Sequence, residues 1–225
     1  MLISCLMPTR DRRPLAPLAI RAFQNQTLPA RELIILDDGT DPIPDLIPED
    51  PRIIYKQIQR EPRTLGYKLN ELAELATGDY CCNWDDDDWS APDRLEAQLR
   101  FLIETGKPAT GFNSLYYWDT TTNQARHWKW QYKKPYACGS SQFYTRQWAL
   151  DHPLPDRTTN VDYNFSADAE KEGMLAAQPG DRYLVARYHH HSTWKRALNR
   201  CGFPQVPATR LPRQFFIDAA LPLPK

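Results

Sequence analysis

Glycine is scarce in this chain, nine residues against twenty prolines. That ratio excludes flexible Gly-rich linkers and predicts stiff, irregular loops. No apolar run reaches the roughly 20 residues that a membrane-spanning helix needs. Met1-Leu2-Ile3 leads straight into a strand-like run, without a charged n-region or a long h-region. Export and a transmembrane segment are therefore not expected. Cysteines are few and odd in number, at 5, 81, 82, 138 and 201, with no metal-site spacing. Reduced core thiols in a cytoplasmic protein are the expectation. Net charge is also absent: 28 Lys+Arg balance 28 Asp+Glu, so bulk charge points neither to a nucleic-acid binder nor to an acidic surface. The distribution is uneven, however. From Arg182 onward eight basic residues face one acidic residue, Asp218, which leaves 20 basic and 27 acidic residues in the remainder.

At 225 residues the first expectation is one α/β domain with a substantial core. Leu2–Met7 has the apolar character of a buried strand, and Pro14 fits the first turn of a helix carrying Leu15, Leu18, Ala19, Ala22 and Phe23. Leu33–Leu36 is a second strand, which makes a βαβ unit with a parallel pair. A Pro-rich loop follows, then a strand at Ile53–Ile58, a helix from Gly66 to Ala76 and a strand at Asp79–Trp84. Ser90 is the expected N-cap of the next helix, with Pro92 in its first turn and Leu95, Leu99, Leu102 and Ile103 on its buried face. Gly106 supplies the stop. The second half is less regular. It predicts a hairpin from Ala109–Trp118 through Trp128 and Trp130, and a strand over Ala137 to Arg146 with Gly139 at a close backbone approach. A polar loop over Asp156 to Phe165, a helix over Ser166 to Gly173 and a last strand at Tyr183–Tyr188 complete it. Beyond Trp194 a basic, Pro-rich surface segment without a core of its own is expected.

The chain is organised around Cys81-Cys82-Asn83-Trp84-Asp85-Asp86-Asp87-Asp88-Trp89. Adjacent carboxylates repel and resist burial unless something positive neutralises them. A hard divalent cation does so, with substrate phosphates completing its shell. The alternative is a solvated acidic turn. The strand-to-helix position favours a site at the carboxyl edge of a sheet, where open α/β folds bind ligands. Thr9, Asp38 and Asp85–Asp88 all end βα-type units, so they should gather on that edge as a nucleotide-type site with a metal.

The pattern resembles glycosyltransferase family 2, the inverting nucleotide-sugar transferases of GT-A fold. The matching pieces are Ile3–Arg12, Leu33–Asp41, Leu65–Asn70, Gly78-Asp79-Tyr80 and Trp84–Leu95, roughly the first hundred residues in order. The second half matches more loosely, through Gly139, Val161–Phe165 and the histidines 189–191. The resemblance implies a mixed, mainly parallel, Rossmann-like sheet flanked by helices in one domain. Residues 1–195 would form it, 1–105 on the nucleotide-sugar side and 106–195 on the acceptor side, with a tail at 196–225. It also implies donor contacts by Thr9, Arg10, Asp38, Lys68, Asp85 and Asp86, a Mn2+ or Mg2+ ion on Asp87 with His189, and Asp162 as the general base. UDP is the implied nucleotide. Asp88 would hold the loop, and Lys68 is equally consistent with a solvated helix surface. The family usually shows two acidic residues where this chain has Val161-Asp162. Asp151, Asp156 and Asp168 are competitors for the base.

The stretch Arg126–Lys134 mixes bases with aromatics. It is either a half-buried strand with a solvated face or a stacking platform for a saccharide or nucleobase acceptor. With the basic tail it keeps a hydroxylated base in DNA, or a protein, open as acceptor. A nucleotide-binding module without catalysis is the reading from another class, and a nucleotidyltransferase or phosphohydrolase would also use a carboxylate cluster.

Overall fold

The computed structural model describes residues 1–58, 62–192 and 202–224. Among the described residues eleven strands form one sheet. Its N-terminal half is parallel: β1 (Ile3–Thr9) lies between β2 (Arg31–Asp37) and β4 (Tyr80–Asn83), and β3 (Ile53–Gln57) pairs with β2. Alternate residues of β1 and β2 enter opposite faces, as the two-residue period of a strand requires. Ile3, Cys5, Met7, Leu33 and Ile35 pack with α1 (Ala16–Gln24) and α3 (Arg94–Thr105), whereas Leu6, Ile34 and Leu36 pack with α2 (Leu65–Leu75). Burial on both faces explains why these strands carry unbroken apolar runs.

The other half is built on the long strand β6 (Ala109–Asp119). It pairs antiparallel with β7 (Gln124–Lys129) and β8 (Phe143–Thr145), and parallel with β9 (Leu175–Pro179) and β10 (Leu184–Tyr188). β8 also pairs antiparallel with β4, which joins the two halves into a single mixed sheet. Helices α4 (Arg146–Asp151) and α5 (Val161–Lys171) complete this half. No helix of the described residues is long and apolar enough to cross a membrane.

Several expectations need correction. Ser90 does not cap α3: it forms the two-residue strand β5 (Trp89–Ser90), paired with β10, and Asp93 takes the N-cap position. Ile103 is 52% exposed, because it lies beyond the edge of the helix face that Leu95, Leu99 and Leu102 bury. Only Phe143–Thr145 of the expected 137–146 strand is extended, since the segment before it coils into a 3-10 turn at Gly139–Ser141. The polar loop ends earlier than expected, and α5 begins at Val161, whose side chain is buried.

The C-terminal segment is more than surface. β11 (Gln205–Val206) pairs with β7, and α6 (Arg213–Asp218) buries Phe215 and Phe216 against Trp89, Trp118 and Val185. The proline density hid a six-residue helix whose apolar pair fills a gap in someone else's core. Trp194 and Cys201 lie outside the described residues. Cys5, Cys81, Cys82 and Cys138 are free thiols, the first three buried.

Candidate functional site

Parallel pairing sets Thr9 level with Asp37 and Leu6 level with Asn83, so β1, β2 and β4 deliver their carboxyl ends to one edge. There the Thr9 hydroxyl donates to Asp86 at 2.6 Å. The Lys68 ammonium, buried rather than solvated, donates to Asp38 at 2.7 Å and to the Thr9 carbonyl at 3.2 Å. The second Asp38 oxygen accepts the Arg63 backbone N–H at 2.7 Å. A buried ion pair holds only when further hydrogen bonds satisfy its remaining polar atoms, and this one has them. Asp37, its sequence neighbour, is committed to structure: it accepts from Gly39 N–H, Ile43 N–H and the Tyr55 hydroxyl.

The acidic loop is pinned at both ends by tryptophans. Trp84 is buried in the first core and donates its indole N–H to the Ala19 carbonyl, while Trp89 is buried in the C-terminal core and donates to Asp218. Between these pins Asp85, Asp87 and Asp88 bring carboxylate oxygens within 4.8 Å of one another. Burial, then the charges of Asp87 and Asp86, push the Asp85 carboxyl up to about 7. Burial followed by Asp87 does the same to Asp86. The Asp88 carboxyl is raised well above the usual range, by burial and then by Asp87 and Asp85. Repulsion of this kind marks functional sites more often than random surface.

Two arginines and a histidine answer it. His189 Nε2 lies 2.9 Å from Asp87 Oδ2, and Arg12 Nη1 lies 3.6 Å from the same oxygen. Arg187 donates its backbone N–H to Asp88 at 3.0 Å and its Nε–H to the Asp87 carbonyl. Because His189 Nδ1 accepts the His191 backbone N–H, the network puts the ring hydrogen on Nε2, where it is given to Asp87. His189 therefore orients Asp87. Arg10 stands apart, exposed beside Asp11. The left-handed backbone of Asp11, at φ 53°, turns the chain so that Arg12 rather than Arg10 reaches the acidic loop.

Sequence reasoning passed over Arg94. Its guanidinium is fully buried beneath the loop, 4.9 Å over the Trp84 ring, and donates to Gln98, Ser90 and the carbonyls of Asn83 and Ser140. The available signal was its place four residues before Gln98, on one helix face.

Asp162 projects from the first turn of α5, where the helix dipole favours a carboxylate. It accepts a short hydrogen bond from the Tyr136 hydroxyl. Gly139 makes its close approach here: a Cβ on it would sit 3.0 Å from the Asp162 Cβ. The Asp162 charge is among those that raise Asp85, so the two sides face each other. Two of the competitors are otherwise engaged: Asp156 accepts from Thr64, and Asp151 from Gln147.

The family profile described as Glycosyl transferase family 2 matches residues 4–158. An uncharacterized glycosyltransferase of Haemophilus influenzae is 32% identical over 113 residues, covering 46% of this chain and 43% of that protein. The chain spans less than half the length of the curated relatives it matches. Among solved structures, S. aureus TarS 1-349 in complex with UDP-GlcNAc aligns with a TM-score of 0.68 at 14% identity, over 85% of this chain and 60% of that one. The mannosyltransferase PcManGT from Pyrobaculum calidifontis, in complex with GDP-Man and Mn2+, aligns at 0.64 with 17% identity, over 88% and 59%. At these identities the likeness establishes a shared GT-A fold.

Proposed function

The chain belongs to glycosyltransferase family 2, and we propose that it moves a sugar from a nucleotide donor to an acceptor hydroxyl with inversion at the anomeric carbon. UDP is the nucleotide we favour. The observation that carries this reading is the cluster of Asp85, Asp87 and Asp88 at the carboxyl edge, level with Thr9, Asp38 and Lys68. The carboxylate oxygens offer hard ligands, and the burial and mutual repulsion that raise the Asp85 and Asp88 carboxyls are a cost that a dication relieves. They fit Mn2+ or Mg2+, with Asp87 as principal ligand, Asp85 and Asp88 beside it and His189 at Asp87. When bound, such an ion supplies Lewis-acid stabilisation to a departing diphosphate.

The chain's own groups would divide the remaining work. Asp38 and Thr9 contact nucleoside hydroxyls or base edges, with Lys68 fixing the Asp38 carboxylate. Arg12 and Arg187 balance charge around the diphosphate. Asp162 accepts the acceptor's proton as its oxygen bonds the anomeric carbon; the bond from that carbon to the phosphate oxygen breaks, and the nucleoside diphosphate leaves with the electron pair. For that step the Tyr136 hydroxyl must yield Asp162 to the acceptor.

Calorimetric titration of UDP, GDP and UDP-glucose, each with and without Mn2+, tests the donor half. Mn2+-dependent binding of the UDP compounds is expected. No binding of any nucleotide would sink the transferase reading.

A further inference from the structure

The stretch 126–134 is not used by the donor site, yet the fold builds it into a defined feature. Beyond the end of β7 the chain folds back so that the Trp130 indole N–H donates to the Lys134 carbonyl at 2.7 Å. The Trp130 ring stacks on Tyr136 at 4.3 Å and 17°, Tyr132 leans on it at 4.8 Å, and Trp128 meets Tyr136 edge-on. Between this aromatic block and α5 lies a cavity of about 530 Å³, lined among others by Trp130, Tyr132, Lys133, Tyr136, Tyr163 and Glu170. Tyr132 and Tyr163 are 75% and 59% exposed. Large aromatic faces left to water across a fixed cavity are the usual mark of a binding site.

The cavity leads to the candidate base. Tyr136, part of its floor, holds Asp162 through its hydroxyl, and Tyr163 is the next residue in sequence. Its charge is also decided. Glu170 is spent on Lys134 at 2.9 Å, whereas Lys133 has no carboxylate partner among the described residues.

We propose that this groove is the acceptor subsite and that it takes an acidic saccharide, one bearing a carboxylate or a phosphate. The proposal rests on the transferase reading. Tyrosine and tryptophan faces suit the C–H faces of a sugar ring, a contact with large buried area and a polar handle at each end. The free lysine supplies a point charge for the anionic group. A nucleic-acid strand is the less suitable occupant, because its affinity comes from many neutralised phosphates and only one uncompensated lysine lines the cavity.

The full chain is titrated with an oligogalacturonate, a glycerol-phosphate oligomer, neutral maltotriose and a single-stranded oligonucleotide, followed by tryptophan fluorescence. Tyr132→Ala, Tyr163→Ala and Lys133→Glu are compared with the unsubstituted chain, and every preparation is titrated calorimetrically with UDP and Mn2+. All three substitutions are at exposed side chains, and their melting temperatures check the fold. One of the acidic saccharides should bind, the carboxylate and phosphate arms deciding which. Its affinity should fall about tenfold in each tyrosine variant, the loss of one stacking face, and in Lys133→Glu, while UDP binding is unchanged. Equal binding of maltotriose, tighter binding of the oligonucleotide, binding of neither acidic saccharide, or acidic-saccharide binding untouched by the substitutions overturns the proposal. Saccharide binding without nucleotide binding would instead remove the transferase reading and leave a sugar-binding groove.

Discussion

Thr9 donates its hydroxyl to Asp86 at 2.6 Å, tying the end of the first strand to the second of four consecutive aspartates. The contact turns the Asp86 carboxylate toward β1, and the cluster that could hold an ion consists of Asp85, Asp87 and Asp88 without it. Four like charges in a row thus resolve into two tasks. One aspartate closes the loop onto the sheet, and three converge on a point.

Asp87 is the member of that trio with a histidine and an arginine on the same oxygen. Asp87→Ala should abolish Mn2+-dependent nucleotide binding while the chain stays folded. Calorimetry with UDP and Mn2+ reads the first, and a melting curve the second. Retained Mn2+-dependent binding would move the principal ligand to Asp85 or Asp88.

The first half of the chain was legible in the sequence because parallel strands buried on both faces write themselves as apolar runs, each ending in its polar cluster. Thr9, Asp38 and the aspartates could be gathered from that pattern alone, whereas Lys68 entered only through the family resemblance. The second half was harder to read. Val161 starts α5 by burying its own side chain, so a helix start was taken for a loop. Phe215 and Phe216 fill a core that other strands assemble, and nothing local in a Pro-rich segment announces a distant partner. That Arg12 rather than Arg10 lies beside the acidic loop follows from a left-handed Asp11, a conformation more common in Asp than in most residues but not signalled by spacing.

The acidic cluster should make stability depend on pH. In the folded chain Asp85 titrates at about 7, against 3.8 ordinarily. Between those values the folded state holds more protons than the unfolded one, so stability falls as pH rises and the cost is fully present above about 7. Asp85→Asn should therefore melt higher than the unsubstituted chain at about pH 8 in EDTA, by roughly 2–4 °C per kcal/mol relieved. The gap should close as pH falls below 3.8, where the carboxyl becomes protonated in both states. Parallel melting curves across this range would show that the repulsion is not borne by the fold.

Asp162 can be separated from the donor site by substitution. Asp162→Asn preserves shape and the contact with Gly139 while removing the proton acceptor. Nucleotide binding should be retained and turnover should fall by roughly 10²–10⁴-fold, the usual worth of general base catalysis. Product formation at an unchanged rate would exclude Asp162 as the base.

The C-terminal helix is expected to stabilise the body of the chain. Phe215 is fully buried and meets Trp89 and Trp118 edge-on, each with ring centroids 6.0 Å away. Phe215→Ala should cost about 3–5 kcal/mol, the usual range for a buried phenylalanine. It should also loosen Trp89 and hence the acidic loop, which urea unfolding followed by tryptophan fluorescence would register. A loss under about 1 kcal/mol would mean the helix packs without stabilising.

Arg94 offers the sharpest test of how the site is held. Its buried guanidinium joins the end of β4, through the Asn83 carbonyl at 3.0 Å, to the 3-10 turn, through the Ser140 carbonyl at 2.6 Å. The turn contains Gly139, which packs on Asp162, and β4 runs directly into Asp85. One side chain thus links the metal-side carboxylates to the candidate base. Arg94→Met keeps much of the packing over Trp84 but takes the guanidinium donor from both carbonyls, leaving Asn83 only the weak Cys82 thiol, at about 1–3 kcal/mol for a buried group left unpaired. It also removes a positive charge that lowers the Asp85 pKa. Urea unfolding should show the stability loss. If Arg94 positions the site as well, turnover in the folded fraction should fall while the KM for donor changes little, because the donor-side contacts of Thr9, Asp38 and Lys68 do not depend on it. A variant that loses stability yet turns over normally per folded molecule would confine Arg94 to the core.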